Sequence, residues 1–319
     1  MQRKSDNSSV VAVLPAVHGG RLADPGLRRW LAQGRVSRYA EREPLLTALL
    51  GVIGREAPST GLAALRMWGQ TGDRPTVWIA AADPVYLEPR LDHLCLHALE
   101  PGVPAAELRL LIDHLQATLG NDADVGFARI GTCCYLRPDR PIETADVPPA
   151  VVDQDMPNAY MPSAGSAATY RNLISEIEMA LHDHPANLDR EMRGLKPVNS
   201  LWLWGGGFAP EQVTQPLLPL FADDPLLRGY WMSITGVAQP WPGSIGDCLE
   251  ASVAGFVAVA PDVDEPDSLA SWLAELRLAL SRRRVGRLHL LFRDGIRAEL
   301  KRSDAMRFWR RRSLLDETP

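Results

Sequence analysis

The residues best suited by type and spacing to do chemistry lie in two neighbouring runs. These are Leu181-His182-Asp183-His184-Pro185-Ala186-Asn187-Leu188-Asp189-Arg190 and Pro197-Val198-Asn199-Ser200-Leu201-Trp202-Leu203-Trp204-Gly205-Gly206-Gly207. An arginine offers a planar fork of donors, side-chain amides offer neutral donors and acceptors, and successive glycines expose backbone N–H groups. That combination suits an oxyanion. His184, Asn187, Arg190, Asn199, Gly205, Gly206 and Gly207 are therefore the predicted binding set for a small phosphorylated or carboxylated molecule. Each residue has a plainer alternative. Asn187 can cap a helix, Arg190 can pair with a neighbouring acid, and His184 can be a hydrogen-bonded hinge. The glycine run alone is a weak phosphate motif, and no Gly-x-Ser-x-Gly elbow, P-loop or Rossmann fingerprint accompanies it. His182 and His184, two residues apart, share no helical face and lack a third ligand at a recognisable spacing, so no metal site is assigned.

The elements that must position these residues follow from periodicity. Ile174, Ile177 and Leu181 predict a helix, which Pro185 ends near residues 182–184 by forcing His184 out of the helical region. Asn187 is expected to cap a second short helix closed by Gly194, and 201–204 reads as a buried strand with Trp202 and Trp204 on its core face. Strands are expected at 10–14, 76–81, 93–98, 230–235, 255–260, 287–292 and 296–300, the last two joined by a turn at Asp294-Gly295. Helices are expected at 25–33, 44–53, 104–119 and 269–280, with a proline-punctuated helical region at 208–224. The alternation argues for an α/β fold. Residues 138–162 hold six prolines and little periodicity, reading as a linker or long loop. The expected division is a disordered 1–9, an N-terminal region 10–137, this linker, and a C-terminal region 163–319.

With 319 residues, 46% of them hydrophobic, the chain can bury a sizeable core. The apolar run 10–17 is short, contains Pro15 and reads as a strand rather than a signal peptide. No run approaches the roughly 20 apolar residues needed to span a bilayer, so a membrane protein is not expected and a cytoplasmic location is. Cys95, Cys133, Cys134 and Cys248 form no CxxC pair and read as free buried thiols. Residues 282–312 carry a local balance of +9 within a chain of net charge −5, with Arg282 to Arg284 and Arg310 to Arg312 at its ends. An acidic region, either of this chain or of a protein partner, suits that surface. The arginine bias is a compositional habit and does not point to nucleic acid.

The central runs also carry a family resemblance. A helix followed by His-Pro-x-Asn-x-x-Arg, Pro-x-Asn and an apolar strand ending in glycines resembles the archaeal-type cofactor-independent phosphoglycerate mutases. It is closer still to the proteobacterial RpfE-type regulatory family, in which Asn-Ser-Leu-Trp-x-Trp-Gly-Gly-Gly appears nearly unchanged. Ala82-Asp83-Pro84-Val85-Tyr86-Leu87, the helix 104–119 and Arg307-Phe308-Trp309-Arg310 extend the likeness. The resemblance implies an alkaline-phosphatase-like mixed sheet flanked by helices, with a smaller inserted α/β subdomain. It also implies two divalent metals held by clustered Asp and His, and a Ser or Thr nucleophile.

This chain departs from that pattern at each matching place. The first strand runs into Val17-His18 where an Asp-Gly turn is expected, and the nucleophile region reads Arg42-Glu43-Pro44, with Thr47 as its alternative. A histidine position is filled by Ala260, and a later Asp-His pair by Asp294-Gly295. Asp262, Asp264, Glu265 and Asp267 read as a solvated helix start. The expectation is a catalytically degenerate, mutase-like regulatory protein with no catalytic residue, metal or cofactor assigned. The alternatives are an active mutase or phosphatase with a rearranged site, and an interaction module that uses the basic C-terminus.

Overall fold

The computed structural model describes residues 8–18, 21–39, 42–99, 102–120, 125–163, 167–235, 238–263 and 265–306. Its contacts divide the chain into two compact units, one of residues 1–57 with 212–319 and one of residues 58–211, inserted in the first.

In the first unit the chain forms β1 (Ser9–Leu14), α1 (Pro25–Gln33), β2 (Arg35–Arg38) and α2 (Leu45–Val52). The second unit contributes α3 (Leu62–Thr71), β3 (Ile79–Pro89), β4 (Leu94–Ala98), α4 (Ala105–Leu119), β5 (Val125–Ile130) and β6 (Cys133–Pro138). It continues with α5 (Pro149–Val152), α6 (Ala167–Leu181), α7 (Pro185–Met192) and β7 (Ser200–Gly207). The first unit then resumes with β8 (Leu220–Phe221), α8 (Pro225–Ile234), β9 (Ala238–Gln239), α9 (Ile245–Ala251) and β10 (Gly255–Val259). It ends with α10 (Pro266–Ser281), β11 (Arg287–Phe292) and β12 (Ile296–Lys301).

The first unit is a mixed sheet in the order β2-β12-β11-β1-β10-β8-β9. β1 is apolar on both faces because it lies between parallel β10 and β11, with helices over the sheet. Val10, Ala12 and Leu14 join Phe256, Ala258, Leu288 and Leu290 under α1, α9 and α10. The β11–β12 hairpin forms as the sequence reads, turning at Asp294-Gly295 with Gly295 at φ 81°. In the second unit every strand pair is antiparallel, and β3 is the hub. One edge of β3 pairs with β7, while its other partners are β6 at Ala80 and Ala81 and β4 from Val85 onward. Pro84, which has no N–H to donate, falls where β3 has left β6 and not yet met β4. Helices α4 and α6 pack over this sheet through Leu108, Leu111, Leu115, Tyr170, Ile174 and Ile177.

Two of the expected elements take another form. Residues 230–235, read as a strand, belong to α8: Asp224 caps it by accepting from the N–H of Leu227, Pro225 occupies the first turn, and Leu227, Tyr230, Trp231 and Ile234 bury one face at helical spacing. The stretch 208–224 is not helical, its prolines removing the donors a helix would need. The proline-rich segment 138–162, placed between two regions in the sequence reading, lies inside the second unit as a long loop with short helical turns. It is tied there because Ala145 N–H donates to Leu203, Gly205 N–H donates to Ala145, and the indole of Trp202 donates to Val147. No helix among the described residues is long and apolar enough to cross a membrane.

Gly255 opens β10 at φ 110°, and a Cβ built there would lie 2.2 Å from the carbonyl oxygen of Ser9. Gly255→Ala is expected to lower stability by about 2–3 kcal/mol or more, through strain plus displacement of β1, read as a lower denaturation midpoint.

Candidate functional site

Two places deserve comparison: the carboxyl end of the parallel strands in the first unit, where α/β sheets bind ligands, and the central runs in the second. At the first, strand order assembles what the sequence keeps far apart. β1 and β11 run side by side, ending at Leu14 and Phe292, so the loop after each meets the other. One oxygen of Asp294 accepts the backbone N–H groups of Val17 and His18, both at 2.8 Å, and lies 2.7 Å from His18 Nδ1. Its other oxygen is hidden from solvent without a hydrogen-bond partner among the described residues. Arg293 donates from Nη2 to the carbonyl of Ala260 at 3.1 Å, and Arg21 reaches Asp262 at 3.3 Å. The Tyr39 hydroxyl donates to Phe292 O, and burial first and the Asp294 charge second push its pKa up.

The four departures read along the sequence thus prove to be spatial neighbours in part: Val17-His18, Ala260 and Asp294 gather at this sheet end. Pro44 caps α2, with Thr47 in its first turn. Glu265 caps α10 and Asp267 lies in its first turn, the helix-start role expected of these acids, while Asp264 is outside the described residues. Among the described residues no three His, Cys, Asp or Glu side chains group here closely enough to share a metal ion.

The central runs fold differently from the predicted cradle. α6 ends at Leu181 and α7 begins at Pro185, but its cap is His184, whose Nδ1 accepts from Ala186 N–H at 3.2 Å; Asn187, expected as the cap, is inside the helix and buried. Asn187 spends its amide on the chain itself. Its Nδ2 donates to the carbonyls of Leu181 and Val198, and its Oδ1 accepts from Val198 N–H, at 2.8–2.9 Å. Arg190 is equally committed, donating from Nε to Lys196 O and from Nη1 to Glu107 at 2.7 Å. Arg193 donates to the other Glu107 oxygen. Burial pushes the Glu107 carboxyl up, but hydrogen bonds from Arg193 and Arg190 outweigh it and hold the group below its ordinary range. Gly194 closes the turn at φ 73°, as expected.

Asn199 sits immediately before β7 and clamps Leu87, its Oδ1 accepting from Leu87 N–H and its Nδ2 donating to Leu87 O. The ladder between β3 and β7 ends at Val85 and Ser200, so this amide continues it by one step with a side chain. The glycines lie at the far end of the same strand. At about 3.3 Å per residue, Gly205 is about 20 Å from Asn199, so the seven predicted residues do not converge on one ligand. Their missing side chains serve the start of α3: a Cβ on Gly205 would lie 2.9 Å from Leu62 Cβ, and one on Gly207 2.5 Å from Gly61 N. The backbone N–H groups of Gly205 and Gly206 donate to Ala145 O and Thr144 Oγ1. A cavity of about 540 Å³ in this unit is lined instead by Arg140, Thr169, Asn172 and Glu176, and none of the seven borders it.

Sequence reasoning missed the buried polar centre of this unit. Arg66 of α3 donates from Nη1 to both oxygens of Asp83 at 2.8 Å and from Nη2 to Cys134 O, between the rings of Tyr135 and Trp204. The indole of Trp204 donates to Asp83 at 2.7 Å. Only the Ala-Asp-Pro run signalled it. On the basic surface, Arg282 to Arg284 are exposed at the end of α10, and Arg310 to Arg312 lie outside the described residues.

Removal of Arg190 takes one of two guanidinium partners from the Glu107 carboxylate and leaves the Lys196 carbonyl without its donor, so Arg190→Ala is expected to destabilise the protein by on the order of 3 kcal/mol, read by denaturant unfolding. His184 packs against His114 with ring centroids 4.8 Å apart, and burial, then the His114 charge, lower its pKa. The unfolded chain then binds protons more readily than the native one, so stability is fully present above about pH 6.5 and declines as pH falls below it. His184→Asn, which keeps a capping acceptor, is expected to flatten that decline in a pH series of melting temperatures.

No profile of a known protein family matches the chain. The 2,3-bisphosphoglycerate-independent phosphoglycerate mutase of Methanosarcina barkeri is 32% identical over 111 residues, 34% of this chain and 28% of that protein. A probable enzyme of the same name from Geobacter sulfurreducens is 26% identical over 132 residues, 41% of this chain and 33% of that protein. The matches thus span about a third of those relatives' length. A solved protein of Pyrococcus horikoshii superposes with a TM-score of 0.50 over 93% of this chain and 88% of its own, at 13% identity, and shares the fold. Over the matched stretch, this chain is homologous to the archaeal-type cofactor-independent phosphoglycerate mutases.

Proposed function

We propose that this chain is a catalytically degenerate relative of those mutases that acts as a regulatory protein of the RpfE type. The carboxyl end of the parallel strands carries the reading. Phosphoryl transfer by two metals needs several carboxylates and imidazoles facing an open centre, to neutralise charge on the moving group. In the described residues of this chain, one oxygen of Asp294 is occupied by Val17 and His18, and Ala260 contributes only a carbonyl, which the Arg293 guanidinium already holds. A guanidinium fixed on the Ala260 carbonyl opposes a dication there by charge alone. The run from Asn199 to Gly207 supports the RpfE-type assignment by its wording, and its side chains serve the fold, as a scaffold kept after its chemistry lapsed would require.

The expected outcome with the purified protein is no interconversion of 3- and 2-phosphoglycerate and no phosphomonoester hydrolysis, with Mn²⁺ or Mg²⁺ supplied. Metal-dependent turnover that disappears in Asp294→Asn would overturn the proposal and restore the enzyme.

A further inference from the structure

We propose that one face of the β3–β4 hairpin is a transition-metal site of the zinc class, built from half-buried Glu88 and His97 and buried Cys95. Register places them together. Glu88 pairs with Cys95 and Tyr86 with His97 across the antiparallel ladder, so all four side chains share one face. The carboxylate oxygen, thiol sulfur and imidazole nitrogen lie within 4.8 Å of one another, with His97 Nε2 2.7 Å from Glu88 Oε2. Ligands held about 2.0–2.3 Å from a tetrahedral zinc stand roughly 3.3–3.8 Å apart, so the cluster needs only small side-chain rotations to close on an ion. Thiolate, imidazole and carboxylate together select zinc or cobalt over magnesium or calcium.

The hairpin is also held as a metal site requires. Asp155 O accepts from Leu96 N–H and Leu96 O accepts from Gln154 N–H, fixing the outer edge of β4. The Asn199 amide fixes Leu87 between Tyr86 and Glu88, and the Tyr86 ring stacks on His97 at 5.8 Å. The fourth position is left to water, since His93 is engaged with Asp92 and is not one of the three grouped residues. The metal-free state is held by charge: Arg90 donates to the Glu88 oxygen at 2.6 Å, and Lys196 lies 5.3 Å from the Tyr86 ring. Metal binding displaces Arg90 from that oxygen and replaces the Cys95 S–H bond by a metal–sulfur bond, the proton passing to solvent. The sequence hid this site because Cys95 reads as a buried thiol and Glu88 is seven residues away. The alternation His93-x-Cys95-x-His97 was its only sign.

Titration of the reduced, full-length protein with Co²⁺ tests the proposal. Expected are one Co²⁺ per chain with a thiolate-to-cobalt charge-transfer band, displacement by Zn²⁺, and loss of the band in Cys95→Ser. His97→Asn and Glu88→Gln should each weaken binding by at least about tenfold, and Arg90→Ala should tighten it. Absence of the band, or its persistence in Cys95→Ser, overturns the site. Zn²⁺ protection of Cys95 from alkylation in the unaltered protein gives a second reading should the serine variant not fold; equal labelling with and without Zn²⁺ overturns it likewise.

Discussion

A carboxylate removed from bulk water must be neutralised by the protein itself, and in the second unit that carboxylate is Asp83. It stands at the point of β3 where the strand changes partners, and its charge is met by Arg66 from α3 and by the indole of Trp204 from β7. Three elements distant in sequence are thereby fixed to one atom group. Burial of an ion pair contributes little net stability, because desolvation consumes most of the attraction. What it fixes is arrangement: α3 must lie where its guanidinium reaches β3, and it lies there only because Gly205 and Gly207 leave room for its first turn. The glycines, the tryptophan and the aspartate are thus one packing solution.

That solution explains which parts of the molecule could be read from residues alone. Helices such as Pro25–Gln33 announce themselves by cap, period and stop, and the hairpin from Arg287 to Lys301 by its Asp-Gly turn. The Asn199–Gly207 run is legible as unusual but not as to purpose. A glycine row marks a missing Cβ, and the sequence does not say whether a phosphate or a helix fills the space. The amides of Asn187 and Asn199 look like ligand donors until the backbone they satisfy is in place. His18 and Asp294 are 276 residues apart and meet only because β1 inserts beside β11, a fact of topology with no local signal. The misreading of 230–235 had a local remedy, since Asp224-Pro225 is a helix-start signal that outweighs the aromatic, strand-like composition after it.

The sheet end of the first unit and the polar centre of the second show two ways of holding a carboxylate. At Asp294 the carboxylate is tied to neighbouring backbone N–H groups, which turns a potential ligand into a loop fastener. At Asp83 it is paired with Arg66, whose guanidinium lies over the rings of Tyr135 and Trp204. Both oxygens of Asp83 are engaged within the chain, whereas at Asp294 one oxygen is engaged and, among the described residues, the other is not.

The central position of Ser9–Leu14 has a consequence for the order in which the molecule is made. The strand precedes both its partners, Gly255–Val259 and Arg287–Phe292, which emerge some 250 to 280 residues later. At about 5–20 residues per second that delay is tens of seconds. Throughout it an apolar Val-Val-Ala-Val-Leu segment has no sheet to join, while the intervening unit already holds all its own strands. The first unit therefore closes after the second, around a strand made before either of its neighbours, so the nascent chain is a natural client for chaperones that shield short hydrophobic strands.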